Sequence, residues 1–244
     1  MARQGHPSAE SEKEDTEMAR MKRTAFTVLE LLIVIAIIAL IAALLFPLFA
    51  SARKKARETQ CMNNLHQVYV AWSLYTSDYQ DTAPIALDFI LPYVNDRAVL
   101  VCPLDQYGGL NTDATAHAQT PISYGYMGLM FGNDPLPKPL QSIRAIREKD
   151  PNFGFLFCYL HGRLIYPGLP HPTEHAFCGK VLRVRRDGSI QAKDVPIRKT
   201  STGAGSGKEG RCAWELLTDL PMPDDHGRDG GPEEICHGTI VCTR

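Results

Sequence analysis

Neither sign of charge dominates this 244-residue chain: 26 Lys and Arg stand against 27 Asp and Glu, a formal net charge of −1. Without a global basic field, nucleic acid is not an expected partner, because phosphate binding draws on clustered Lys and Arg. A nucleotide-cradling loop is missing too. In Thr202-Gly-Ala-Gly-Ser-Gly-Lys-Glu-Gly210, Thr202 stands where a Walker loop needs its first Gly and Glu209 where it needs Ser or Thr. Glu209 would repel phosphate and offers magnesium no hydroxyl. No Ser-His-Asp order, paired-carboxylate motif or nucleophile elbow stands out either. The chain is not expected to be an enzyme.

Charge is most completely lacking from Phe26 to Ala50, 25 residues in which Glu30 is the single ionisable side chain. As a helix this stretch would reach roughly 37 Å, enough to cross a hydrocarbon core of roughly 30 Å. A secretory signal has an apolar core of roughly 7–15 residues and then a small-residue cleavage site. Here the core is longer, and the charged run Arg53-Lys54-Lys55-Ala56-Arg57 reads as continuing helix, so retention of the span is expected. An ionised Glu in lipid costs at least ~2.5 kcal/mol, so Glu30 is expected to have a partner, with snorkelling to the headgroups as the alternative. Nothing basic inside the stretch supplies that partner. Residues 1–20 carry too little apolar surface to fold alone.

Lys22-Arg23-Thr24-Ala25, then Phe26-Thr27-Val28-Leu29-Glu30 and an apolar run to Leu40, resemble the leader of the type IV pilin and type II secretion pseudopilin family. The resemblance implies cleavage between Ala25 and Phe26 by a membrane peptidase, N-methylation of the new Phe26 terminus, and polymerisation through the apolar helix. It also implies a role for Glu30, pairing with the freed amine of a neighbouring subunit. Ala25 stands where the family usually has Gly, and a start at Met18 or Met21 would give a shorter leader. The partners implied are other copies of the chain or other pilins, prepilin peptidase, an inner-membrane assembly platform and membrane lipid. The location implied is the bacterial cytoplasmic membrane, crossed once with the head outside the cytoplasm, or a surface filament. Pilus, secretion pseudopilus and DNA-uptake filament all fit. Flanking charge slightly favours the opposite orientation, with Arg53, Lys54, Lys55 and Arg57 after the span against Arg20, Lys22 and Arg23 before it. The leader's need for a cytoplasmic-face peptidase outweighs that count.

Beyond Pro47, where a kink or local melt is expected, apolar residues recur at Leu65, Val68, Tyr69, Trp72, Tyr75 and Tyr79. Their spacing predicts an amphipathic helix packed on a core. The pattern breaks at Asp81-Thr-Ala-Pro84. Phe153 to Leu160 reads as a central strand, and Val181–Arg186 with Ser189–Ala192 as a hairpin across Asp187-Gly188, in a type I′ turn. Cys102-Pro103, Ser123-Tyr-Gly-Tyr126 and the stretch from His175 to Asp187-Gly188 resemble segments of a bacterial subset of the same family. The fold class is thus α+β, a long N-terminal helix, membrane-spanning in its first half, on a small antiparallel sheet. The division expected is a leader over 1–25, a membrane helix over 26–50, a stalk helix over 51–80, a head over 81–198 and an irregular Gly/Pro-rich part over 199–244.

Seven cysteines behind an export-type segment suit an oxidising compartment with some disulfides, although an odd count leaves one thiol over and the connectivity open. Cys158-x2-His161 and His171-x3-His175-x2-Cys178 offer zinc-compatible donors. The prolines between them and the compartment favour instead a disulfide, Cys158 to Cys178 among the choices, or buried thiols. Asp224-Asp225-His-Gly-Arg-Asp229 has the carboxylate density of a calcium loop without the EF-hand pattern, and reads as a solvated turn. No cofactor is therefore expected, zinc and calcium being the alternatives. The competing reading of the whole chain is a membrane-tethered periplasmic metal-binding or enzymatic module.

Overall fold

The computed structural model describes residues 26–109, 120–131, 146–165, 176–199, 209–222, 232–237 and 239–242. The chain divides into two compact units, Met1–Ala52 and Arg53–Arg244. In the first, the described residues form the opening half of helix α1 (Val28–Asp78). Every residue from 26 to 50 is exposed, and the helix is long and apolar enough to cross a membrane. Of the kink or local melt expected at Pro47, the melt does not occur: α1 runs through the proline as one helix. A proline deletes one backbone bond, and the turns on either side keep theirs.

In the second unit, α1 buries Glu58, Cys61, Asn64, Leu65, Val68, Ala71 and Trp72, a stripe at helical spacing. The helix ends where Gln80 and Asp81 adopt left-handed backbone, φ +54° and +61°, and the Asp81 amide donates back to the Thr76 carbonyl at 2.8 Å. That bond satisfies one of the orphaned carbonyls of the last turn.

The stripe packs on an antiparallel sheet of β1 (Gly125–Tyr126), β2 (Gly154–Cys158), β3 (Arg163–Leu164), β4 (Phe177–Arg185) and β5 (Ile190–Val195). β4 pairs with β2, β3 and β5. All five residues of β2 are buried, as its unbroken apolar run predicts for a central strand. Trp72 lies 4.6 Å, centroid to centroid, from Phe155 of β2, and its indole N–H donates to the Tyr126 hydroxyl at 3.1 Å. The fold is α+β, a long N-terminal helix packed on an antiparallel sheet.

The β4–β5 hairpin is present, but its turn is not the type I′ expected. Among the described residues only Gly188 of the loop has a positive φ, +83°, and the Arg185 amide donates to the Ser189 carbonyl at 2.9 Å, closing a three-residue loop. Asp187 stays at negative φ; its carboxylate accepts from the Ser189 amide at 2.8 Å, so one left-handed glycine suffices.

The C-terminal part, expected to be irregular, carries strands in its described residues. β6 (Ile197–Lys199) pairs with both β7 (Glu209–Gly210) and β8 (Thr239–Cys242), and a short helix α2 (Ala213–Leu217) buries Trp214, Leu216 and Leu217. Disulfides Cys178–Cys242 and Cys212–Cys236 tie this part together.

Candidate functional site: a capped helix start and a buried cysteine-histidine cluster

Two places concentrate chemistry. At the start of α1, the Thr27 amide and hydroxyl both donate to Glu30 Oε2 at 2.9 Å, and the Glu30 amide donates to Thr27 Oγ1 at 3.2 Å. This is a capping box, in which residues three apart satisfy each other's orphaned amides. Glu30 therefore has a local hydrogen-bond partner in Thr27. The signal, Thr-x-x-Glu before an apolar run, is present in the sequence. Phe26 is 78% exposed, and Ala25 lies outside the described residues.

The second place lies in the core of the head. Cys61 projects from the buried stripe of α1, and Cys102 follows the 3-10 turn Arg97–Leu100. Cys158 closes β2, and His161 stands in the turn after it. All four are buried, and their donor atoms lie within 4.8 Å of one another. His161 Nε2 is 3.5 Å from Cys102 Sγ, and Cys61 Sγ is 3.9 Å from the Tyr124 hydroxyl. None of the three thiols is in a disulfide.

Around Cys102 the backbone is held from several sides. Its amide donates to Ser123 Oγ at 3.0 Å, and Ser123 in turn donates to Asp105 Oδ2 at 2.6 Å. The Asp105 amide closes the turn onto the Cys102 carbonyl at 2.8 Å. Hydrogen bonds from Cys158, Cys61 and His161 hold the Cys102 thiol well below its usual range. The hydrogen bond it gives to Cys102 raises Cys61, and burial raises Cys158. Beside the cluster, a cleft of about 220 Å³ is lined by residues that include Leu104, Asp105, Leu160 and Gly162.

Of the five donors considered from sequence, the structure keeps Cys158 and His161 together and removes Cys178, which is joined to Cys242. The Cys158–Cys178 disulfide considered above is thereby corrected, since each sulfur has other neighbours. His171 and His175 lie outside the described residues, as does the acidic turn Asp224–Asp229. Sequence reasoning missed Cys61 and Cys102 as members, because they come from 97 and 56 residues upstream of Cys158. Comparison with protein-family models, with curated proteins and with solved structures finds no match.

Proposed function

We propose that the chain is a structural subunit of a filament of the type IV pilus or type II secretion pseudopilus kind, trimmed before Phe26 and assembled through the first half of α1. One observation carries the reading: a run of apolar side chains from Phe26 to Phe49, all exposed, whose single ionisable group is Glu30 in the first turn. So large an apolar surface needs lipid, copies of itself or both to cover it. In lipid the carboxylate needs a cation, and a neighbour's freed N-terminal amine would provide one. Both Thr27 bonds fall on Oε2, which leaves Oε1 to accept from that amine. The head performs no catalysis in this reading; its place is outside the cytoplasm, where its disulfides persist.

The test separates the cap from the intermolecular pair. Gln caps a helix start as Glu does but carries no charge. Glu30→Gln is expected to insert normally and to assemble poorly, at a cost on the order of 3–5 kcal/mol for the amine left without a counter-charge. Cross-linking of the chain in its native membrane reads this out. Glu30→Gln assembling like the wild type while Glu30→Ala fails would reduce Glu30 to a helix cap and remove the charge-pairing argument.

A further inference from the structure

The geometry points to a zinc ion held by Cys61, Cys102, Cys158 and His161, a closed site that pins α1, the segment after the 3-10 turn and the central strand to one another. Three thiols and one imidazole are a donor set of structural zinc. With Zn–S near 2.3 Å and Zn–N near 2.0 Å, a tetrahedral site has edges of about 3.5–3.8 Å. The Cys102–His161 separation of 3.5 Å is such an edge, and the widest donor pair, within 4.8 Å, exceeds one by about 1 Å. Cys158-x2-His161 supplies two donors from one turn, and the Cys102 amide donates to Ser123 Oγ at 3.0 Å, a bond that orients the ligand residue.

Cysteine arithmetic gives the same answer independently. Of seven cysteines, four are paired with each other, and the remaining three converge on one histidine. A disulfide within the trio would strand the third thiol and the imidazole in the core, whereas one tetrahedral ion satisfies all four. Binding converts the thiols to thiolates and releases their protons to solvent, so affinity rises with pH. Four protein donors leave no position for water or substrate, which assigns the ion to folding rather than catalysis. This inference stands whether or not the chain forms a filament.

The test uses the full chain in detergent, purified without chelator. A single zinc per chain is expected by elemental analysis, with Cys61, Cys102 and Cys158 protected from alkylation until chelator and denaturant are both present. Replacing zinc with Co²⁺ should give the sulfur-to-metal and d–d absorption of a tetrahedral thiolate site. Cys102→Ser should lose the metal, and Cys178→Ser should keep it. His161→Cys should also keep it, with stronger sulfur-to-Co²⁺ absorption from the fourth thiolate; this variant carries the test if Cys102→Ser does not fold, an unchanged spectrum overturning the assignment. Ser123→Ala, which removes the support under Cys102, should weaken zinc by about 10–100-fold. Absence of metal together with a mapped disulfide between any two of the three cysteines would overturn the assignment. So would zinc retained in Cys102→Ser, which would place it on other residues.

Discussion

Gly188 has two independent reasons to be glycine. Its φ of +83° is left-handed, and an added Cβ would come within 2.6 Å of the Tyr69 ring, whose hydroxyl donates to the Arg186 carbonyl at 3.0 Å. Gly188→Ala is expected to destabilise the head by about 1–3 kcal/mol, read by chemical denaturation. A second constraint sits on β4, where the fully buried Arg183 donates to Asp219 at 2.5 Å and to the Leu216 carbonyl at 3.0 Å. Burial acts to raise the Asp219 carboxyl, but the Lys193 hydrogen bond and the Arg183 charge outweigh it and hold the group below its ordinary value. A carboxyl depressed in the folded state contributes stability above its unfolded value of about 3.9, and that stability is lost as pH falls through the lower folded value. With Asp219 47% exposed, solvent screens the pair, and Asp219→Asn is expected to cost about 1–2 kcal/mol at pH 7. The gap to the wild type should close as pH is lowered below about 4, because a protonated Asp219 is as neutral as Asn. A gap that persists in acid would mean that the loss is one of packing.

Helix α1 shows how one element answers to two environments. From Phe26 to Ala50 every side chain is exposed, whereas from Glu58 to Trp72 the helix buries one stripe and wets the rest. The two faces of that second half should respond differently. Trp72→Ala removes the ring against Phe155 and the bond to Tyr126, and is expected to destabilise the head by about 3–5 kcal/mol. Leu74→Ala, at a side chain 49% exposed, should stay within about 0.5 kcal/mol of the wild type. Elements of this kind were legible in the sequence because their signals are local. Spacing of three and four marked the stripe, eight apolar residues marked β2, and Asp187-Gly188 marked the hairpin. The turn type was misread because a single left-handed residue closes that loop and the sequence does not reveal its length. The C-terminal strands and α2 were hidden for another reason: α2 spans five residues, too few to show a period, and β7 spans two.

At the scale of the whole chain, covalent and proposed coordinate links join positions far apart in sequence. Cys178–Cys242 and Cys212–Cys236 close loops with separations of 64 and 24 residues, worth about 4.3 and about 3.5 kcal/mol in the chain-entropy account. Reduction is expected to expose the C-terminal part first, seen as new protease cuts beyond Lys199 before any within β2. The Cys61, Cys102, Cys158 and His161 cluster was only half legible, since a two-residue spacing displays Cys158 and His161 together while the fold alone brings Cys61 and Cys102 to them. Neither the disulfides nor the cluster decides how the chain is used; that rests on the exposed apolar half of α1 and what becomes of the residues before it. Intact-mass and terminal-peptide mass spectrometry of the protein from its native membrane tests this most directly. The account expects a chain that begins at Phe26 and carries one methyl group on its amine. A mature protein that retains Lys22 to Ala25 ahead of an unmethylated Phe26 would contradict it.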